Sequence, residues 1–356
     1  MIGYYVHHQG LGHLHRLASV RAHLREPVTV LSSLPRPLDW SGPWVRLAAD
    51  DTGVDDPGTA DVTAGGRLHW VPRHHLGLAA RSHQILDWVV TERPTLVVVD
   101  VSVEVSLLVR LAGVPVVVAA MPGNRSDHAH RTAYDLADTL LAPWPAAVPS
   151  SWPQRWLAKT VHCGSIGGFD GLPRPPRAES GRRGLLLWGS GGTGLDERRV
   201  GELRAAMPGW TWQAAVGSTR LGREELWRAL CAADVVVTHG GQNAVAEVAA
   251  ARAPAVVVAD RRPFDEQVRT AAAVDGLGLA VGVAEWPSRD RWPELVRRAV
   301  LVGGEGWSRW SFGDGALRAA RAIDGAARRL RPPEPAGLGV PVGGPVVAQV
   351  ASEGAG

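Results

Sequence analysis

Short apolar runs alternate with stretches of helical spacing along this 356-residue chain. Ile2–Val6 reads as a buried strand, Gly10-Leu11-Gly12-His13 as a turn, Leu14 to Leu24 as a helix, and Val28 to Leu31 as the next strand. Apolar runs at Leu96 to Val99 and Val114 to Ala119 flank a helical segment from Glu104 to Ala112. The alternation resumes with runs at Leu185 to Trp188, Trp210 to Val216, Val235 to Thr238 and Ala255 to Ala259. Strands that are apolar throughout and separated by helices predict parallel sheets covered on both faces. Two such series in a chain of this length predict an α/β protein of two domains.

The punctuation between the series sets the expected boundaries. Ala142 to Lys159 carries four prolines and three tryptophans, the composition of a chain leaving one domain for another. We expect a first domain over 1–150, a linker over 151–160, a second domain over 161–315, a basic amphipathic helix over 316–330, and an extended or disordered tail over 331–356. Residues 35 to 80, rich in Pro, Gly, Asp, His and Trp, read as long loops and an acceptor-side surface.

Composition narrows the classes. A net charge of +3 and the lack of any recognisable binding motif argue against a nucleic-acid partner. Cys163 and Cys231 have no metal or redox spacing, and a reducing cytoplasm suits them. His7, His8 and Gln9 interrupt any N-terminal apolar segment, so no signal peptide is expected. Asp100, Glu104 and Arg110 break the longest apolar stretch, which reads as strand, helix and strand and not as a membrane span. Trp40, Trp44, Trp70 and the many arginines would still allow peripheral contact with a membrane face.

The chemistry concentrates between Val235 and Ala273. A strand runs into His239-Gly240-Gly241, then into an alanine-rich helix carrying Asn243 and Glu247; a second strand follows, leading to Asp265-Glu266-Gln267. A helix N-terminus offers unpaired N–H groups and partial positive charge to a phosphate. Gly240 and Gly241 let the backbone approach an anion. His239 can donate to a phosphate oxygen, and Glu247, one turn beyond Asn243, can accept from ribose hydroxyls. Taken singly, each residue fits an ordinary strand-turn-helix unit; together they fit a nucleoside diphosphate carrying a sugar. A second glycine-rich loop, Gly189-Ser190-Gly191-Gly192-Thr193-Gly194, follows a strand but lacks the Gly-Lys-Ser/Thr ending of a P-loop.

The spacing His239-x-Gly241-x-Asn243-x-x-x-Glu247, then Pro254, then Asp265-x-Gln267, resembles the donor signature of GT-B glycosyltransferases, both the plant secondary-product enzymes of family 1 and the bacterial peptidoglycan N-acetylglucosaminyltransferases of family 28. The resemblance implies two Rossmann-like domains facing across a cleft. It implies diphosphate contacts from His239, Ser190, Gly191, Gly192 and Thr193, a ribose contact from Glu247, and sugar contacts from Asp265, Glu266 and Gln267. It also implies an inverting transfer from a UDP- or dTDP-sugar without a bound metal or other cofactor. Two departures stand out: Gln242 where the family often has a bulky residue, and Ala244 where it often has Ser.

His13, in a Gly12-His13 pair where the first strand meets the first helix, is the candidate general base. Asp100, ending a later strand, is its candidate orienting carboxylate. A structural histidine and a helix-capping aspartate are the competing readings. His74-His75 and His128-x-His130 lack helical metal spacing and read as loop histidines. The acceptor is either a small natural product, which we favour, or a lipid-linked precursor. A nucleotide-sugar hydrolase or epimerase, and a non-catalytic partner of an active transferase, use the same fold and remain alternatives.

Overall fold

The computed structural model describes residues 1–331 except 55, 56, 58, 177–180, 190–194 and 217–220. Its first unit runs β1 (Ile2–Val6), α1 (Gly12–Arg21), β2 (Val28–Ser32), β3 (Trp44–Arg46), α2 (Leu76–Glu92), β4 (Val97–Asp100), α3 (Val103–Leu111), β5 (Val116–Ala119), α4 (His128–Leu136), β6 (Thr139–Ala142), α5 (Gln154–Leu157) and β7 (Thr160–His162). Among the described residues these strands form one parallel seven-stranded sheet in the order β3-β2-β1-β4-β5-β6-β7. The second unit runs β8 (Arg183–Trp188), α6 (Glu197–Ala206), β9 (Thr211–Val216), α7 (Arg223–Ala232), β10 (Val235–His239), α8 (Gln242–Ala251), β11 (Ala255–Val258), α9 (Glu266–Gly276), β12 (Val281–Val283) and α10 (Trp292–Val302). Its strands form a parallel five-stranded sheet, β12-β11-β10-β8-β9.

The central strands are valine-rich and buried on both faces, as parallel strands under helices must be. The expected linker at 151–160 is not one. Gln154–Leu157 is helical, Trp156 packs on Tyr134 of α4, and Thr160–His162 pairs with β6, so the first sheet continues to His162. Proline punctuation there marks an edge of the first unit; the crossing to β8 follows it. Within residues 35 to 80, β3 was masked by its proline-rich surroundings.

A last helix, α11 (Gly315–Leu330), returns to the first unit. Ala316, Ala319, Ala320 and Ile323 are buried in one core with Leu17, Val20 and Val30. Asp324 accepts from the Arg25 backbone N–H at 3.3 Å, and Arg331 pairs with Glu26 at 2.6 Å. Burying a side chain such as Ile323 contributes about 1.5–3 kcal/mol, so this alanine-faced helix is held by fit as well as by ion pairs. The expected tail lies outside the described residues beyond Arg331. No helix among the described residues is long and apolar enough to cross a membrane.

Candidate active site

Each sheet has a switch point, where neighbouring strands run off to opposite sides and a crevice opens beyond their carboxyl ends. In the first sheet it lies between β1 and β4, in the second between β8 and β10. The sequence-predicted residues cluster at these two places.

At the first, His13 begins α1 and Asp100 ends β4. His13 Nδ1 donates to Asp100 Oδ1 at 2.8 Å. Asp100 is fully buried, and the same oxygen accepts from Arg16 Nη1 at 2.7 Å. Burial alone would raise the Asp100 pKa, but the Arg16 and His13 charges outweigh it and hold the carboxyl below its ordinary range. With Nδ1 engaged, His13 Nε2 is the basic atom left to the cleft, and it has no hydrogen-bond partner among the described residues. The geometry matches a histidine whose tautomer is fixed by a carboxylate. His7, with its ring 6.0 Å from that of His13, is pushed down to about 3 by burial and stays neutral. A cavity of about 660 Å³ is lined by His7, the neighbour of His13, with His8, Asp50, Arg81, Trp70 and Leu108; His13 and Asp100 themselves do not line it.

At the second switch point, His239 ends β10. Its Nδ1 accepts from the Gly241 N–H at 3.0 Å, so Nε2 carries the ring proton. Burial, with help from Arg262, lowers its pKa to about 4, and the ring is a neutral donor near pH 7. A Cβ at Gly241 would overlap this ring, which explains the glycine more directly than phosphate approach does. Gly240 is needed for close approach to the Gln267 backbone. The first N–H groups of α8 begin at Gln242, one residue beyond. Glu247, a turn further, is half-buried with no hydrogen-bond or ion-pair partner among the described residues, and its desolvation raises its pKa to about 7.

The predicted sugar-reading triplet divides in three. Asp265 is exposed, with φ +55°. Gln267 is 2% exposed; its Oε1 accepts from the Asp260 N–H at 3.0 Å, and its side chain also acts on the His239 ring. Glu266 turns toward the first domain, 3.5 Å from Arg125, its pKa raised by burial against the opposing charges of Arg125, Arg16, Arg262 and His13. Ser190, Gly191, Gly192 and Thr193 lie outside the described residues.

The two edges meet. Asn243 Nδ2 lies 3.1 Å from where a Cβ on Gly12 would sit. Arg16 Nη2 donates to Gln242 Oε1. Phe264, in a left-handed conformation with φ +63°, docks on the first domain: its carbonyl accepts from the Asn124 N–H at 2.8 Å, and its ring lies 4.6 Å from that of His130 and 4.9 Å from the Arg125 guanidinium. Gly123, at φ +111°, leaves room for that carbonyl. Neither Arg16 nor Phe264 was singled out from the sequence. Arg16 lies three residues after His13, on the same helical face, and that spacing was the available signal.

His130, read as a loop histidine, sits on α4 in a cluster with His69 and Asp127. Arg125 can only donate, so His130 Nε2 accepts from it at 3.1 Å and Nδ1–H points to Asp127 at 2.5 Å. With that proton in place and a guanidinium alongside, Nδ1 offers no lone pair to a metal ion.

Residues 224–286 match the glycosyltransferase family 28 C-terminal domain, a segment that contains His239, Asn243, Glu247 and Gln267. Comparison with curated protein sequences gives no match. Among solved structures, the glycotransferase of kitacinnamycin superposes with a TM-score of 0.63 at 18% identity, over 93% of this chain and 99% of that one. MurG of Acinetobacter baumannii gives 0.60 at 14% identity, over 92% and 99%. The spinosyn rhamnosyltransferase SpnG gives 0.58 at 16% identity, over 92% and 95%. The chain therefore has the GT-B fold, two Rossmann-like domains across a cleft. Within it, the second domain carries the family 28 C-terminal segment.

Proposed function

We propose that the protein is an inverting glycosyltransferase that moves a sugar from a nucleoside diphosphate to a hydroxyl of a small-molecule acceptor. The observation that carries this reading is the pairing of the two switch points. One presents a histidine backed by a buried carboxylate; the other presents a neutral N–H donor, a helix N-terminus and a half-buried carboxylate without a partner among the described residues.

In this reading the nucleotide lies along β10 and α8. His239 Nε2–H and the first N–H groups of α8 donate to the diphosphate, and Glu247 accepts the ribose hydroxyls. The acceptor occupies the first-domain cavity and brings its hydroxyl to His13 Nε2. His13 takes the hydroxyl proton as the oxygen attacks the anomeric carbon from the face opposite the diphosphate. Asp100 stabilises the imidazolium. The C–O bond to the diphosphate breaks, and its growing negative charge is met by fixed dipoles, so the step needs no bound metal. Glu266 faces the sugar position from the donor side.

A cavity of about 660 Å³ suits an acceptor of small-molecule size. SpnG has been solved with thymidine diphosphate and with spinosyn aglycone, ligands of the two kinds this reading requires. A UDP- or dTDP-sugar is the proposed donor class. The proposed setting is the cytoplasm, with peripheral membrane contact if the acceptor is lipid-linked.

The test is a thermal-shift panel of UDP, dTDP, GDP and their common sugars on wild type and Glu247→Ala. A ligand at one hundred times its Kd stabilises the native state by about 2.7 kcal/mol. One base should raise Tm in wild type and fail in Glu247→Ala. Equal shifts in both proteins would remove Glu247 from the site, and no shift with any nucleotide would sink the transferase reading.

A further inference from the structure

Arg16 is 6% exposed; apart from a long contact of Nη2 with Met121 Sδ at 3.9 Å, it hydrogen-bonds one residue of each domain. Nη1 reaches Asp100 Oδ1, the atom that His13 also uses. Nη2 reaches Gln242 Oε1, on the first residue of the donor-side helix α8. Gln242 is also the position at which the donor motif departs from the family's bulky residue. The departure thus has a partner in the opposite domain, and that partner touches the candidate catalytic carboxylate.

We infer that Arg16 and Gln242 form a relay across the cleft: Arg16 holds Asp100 behind His13, and its second nitrogen ties that alignment to the docking of α8. This rests on the proposed roles of His13 and α8, and it adds a positioning pair to them. A planar guanidinium can serve both acceptors at once in fixed geometry, which an ammonium cannot. When α8 swings away, Nη2 keeps only the weak, long contact with Met121 Sδ, and the stronger of its two hydrogen bonds is lost. The base would then be best aligned with the donor domain docked. That order limits attack by the base's substrate on an incomplete site.

The relay has readouts that a merely structural arginine would not move. Asp100 is faced by Arg16 and His13 from α1, by Tyr4 from its neighbour β1 and by His7 just after that strand; Glu266 of α9 acts on the same Arg16 and His13. Removing the Arg16 charge should therefore move the Asp100 carboxyl titration upward. We would follow the Asp100 carboxyl carbon by NMR, and amide hydrogen exchange in the first turn of α8, in full-length wild type, Arg16→Met, Arg16→Lys and Gln242→Ala. Arg16→Met should raise the Asp100 midpoint by about one pH unit or more and speed exchange in α8. Gln242→Ala should speed exchange by a similar factor and leave the midpoint in place. Arg16→Lys should keep the midpoint and lose the exchange protection. With the donor selected by the thermal-shift panel, Arg16→Met should lower kcat, and Gln242→Ala should mainly raise the donor KM.

An unmoved Asp100 midpoint in Arg16→Met overturns the relay, as does unchanged α8 exchange in Gln242→Ala. If Arg16→Met does not fold, Arg16→Lys and Gln242→Ala decide, since both leave Asp100 facing a cation. Absence of turnover in wild type would sink the transferase reading alone, because the titration and exchange results need no substrate.

Discussion

At the edge of the first sheet, charge is neutralised within the protein: Asp100 has both His13 and Arg16 within 2.8 Å. At the edge of the second, Glu247 has no partner among the described residues, and His239 is neutral because its surroundings penalise charge. One edge is wired within the protein; the other lacks such partners among the described residues, and on the proposed reading a bound nucleotide supplies them. A general base has to be aligned before the acceptor reaches it, so its partners are built in. A nucleotide brings its own hydroxyls and charges, so its site is economical when those groups are missing from the protein.

The sharpest break between the two edges comes from His13→Ala. Loss of a general base typically costs about 10²–10⁴-fold in turnover, and steady-state kinetics should show it, with nucleotide affinity unchanged in the thermal-shift assay. Equal losses of turnover and nucleotide affinity would erase the division of labour.

Removing an anion should have opposite effects on stability at the two edges. Asp100→Asn leaves the buried Arg16 without its counter-charge and should destabilise by about 3 kcal/mol, read by urea unfolding at pH 8. Glu247→Gln should stabilise the nucleotide-free protein. The folded pKa of Glu247 is raised from 4.5 to about 7, so the native state binds the proton more tightly than the unfolded chain. Below pH 4.5 the group is protonated in both states and costs nothing. Through the window from 4.5 to 7 the penalty grows, and above 7 it reaches about 3 kcal/mol. The gain from Glu247→Gln should thus appear at pH 8 and vanish near pH 4.5.

Nucleotide binding should reverse that order. If ribose hydroxyls donate to ionised Glu247, affinity for a nucleotide sugar falls as pH drops below about 7, by up to about tenfold per unit, and the slope disappears in Glu247→Gln. Calorimetric titration at pH 6 and pH 8 checks both. The smallest effect is expected from Gly241→Ala, whose Cβ would displace the His239 ring. A weakened hydrogen bond to the charged diphosphate, worth about 1.5 kcal/mol when lost, should lower affinity by up to about tenfold and leave the His13 step untouched.

Much of this was legible because it depends on local pattern. Valine-rich runs gave the strands; an aspartate or histidine at the end of such a run must reach the sheet edge, as Asp100 and His239 do, and so must a residue in the first turn of the following helix, as His13 does. Glu247 followed from helical spacing, one turn beyond Asn243. What could not be read depends on how the domains meet. Arg16 is one arginine of many, and its role needs β4 beside β1 and Gln242 across the cleft. Asp265, Glu266 and Gln267 are consecutive, and only the left-handed turns at Phe264 and Asp265 decide that Glu266 faces the first domain while Asp265 faces out. The seventh strand hid behind proline-rich sequence, because its pairing with β6 supplies what its own three residues cannot.

The return of α11 changes the order in which this molecule can be finished as it leaves the ribosome. The segment from Arg183 to Val302 is continuous and can assemble its sheet as soon as it emerges. The domain that begins at Met1 is translated first yet lacks the surface over Leu17, Val20 and Val30 until Ala316 to Ala327 are made. Of the two units, the one translated earlier is therefore completed later, with the β8–α10 unit already formed between its two parts.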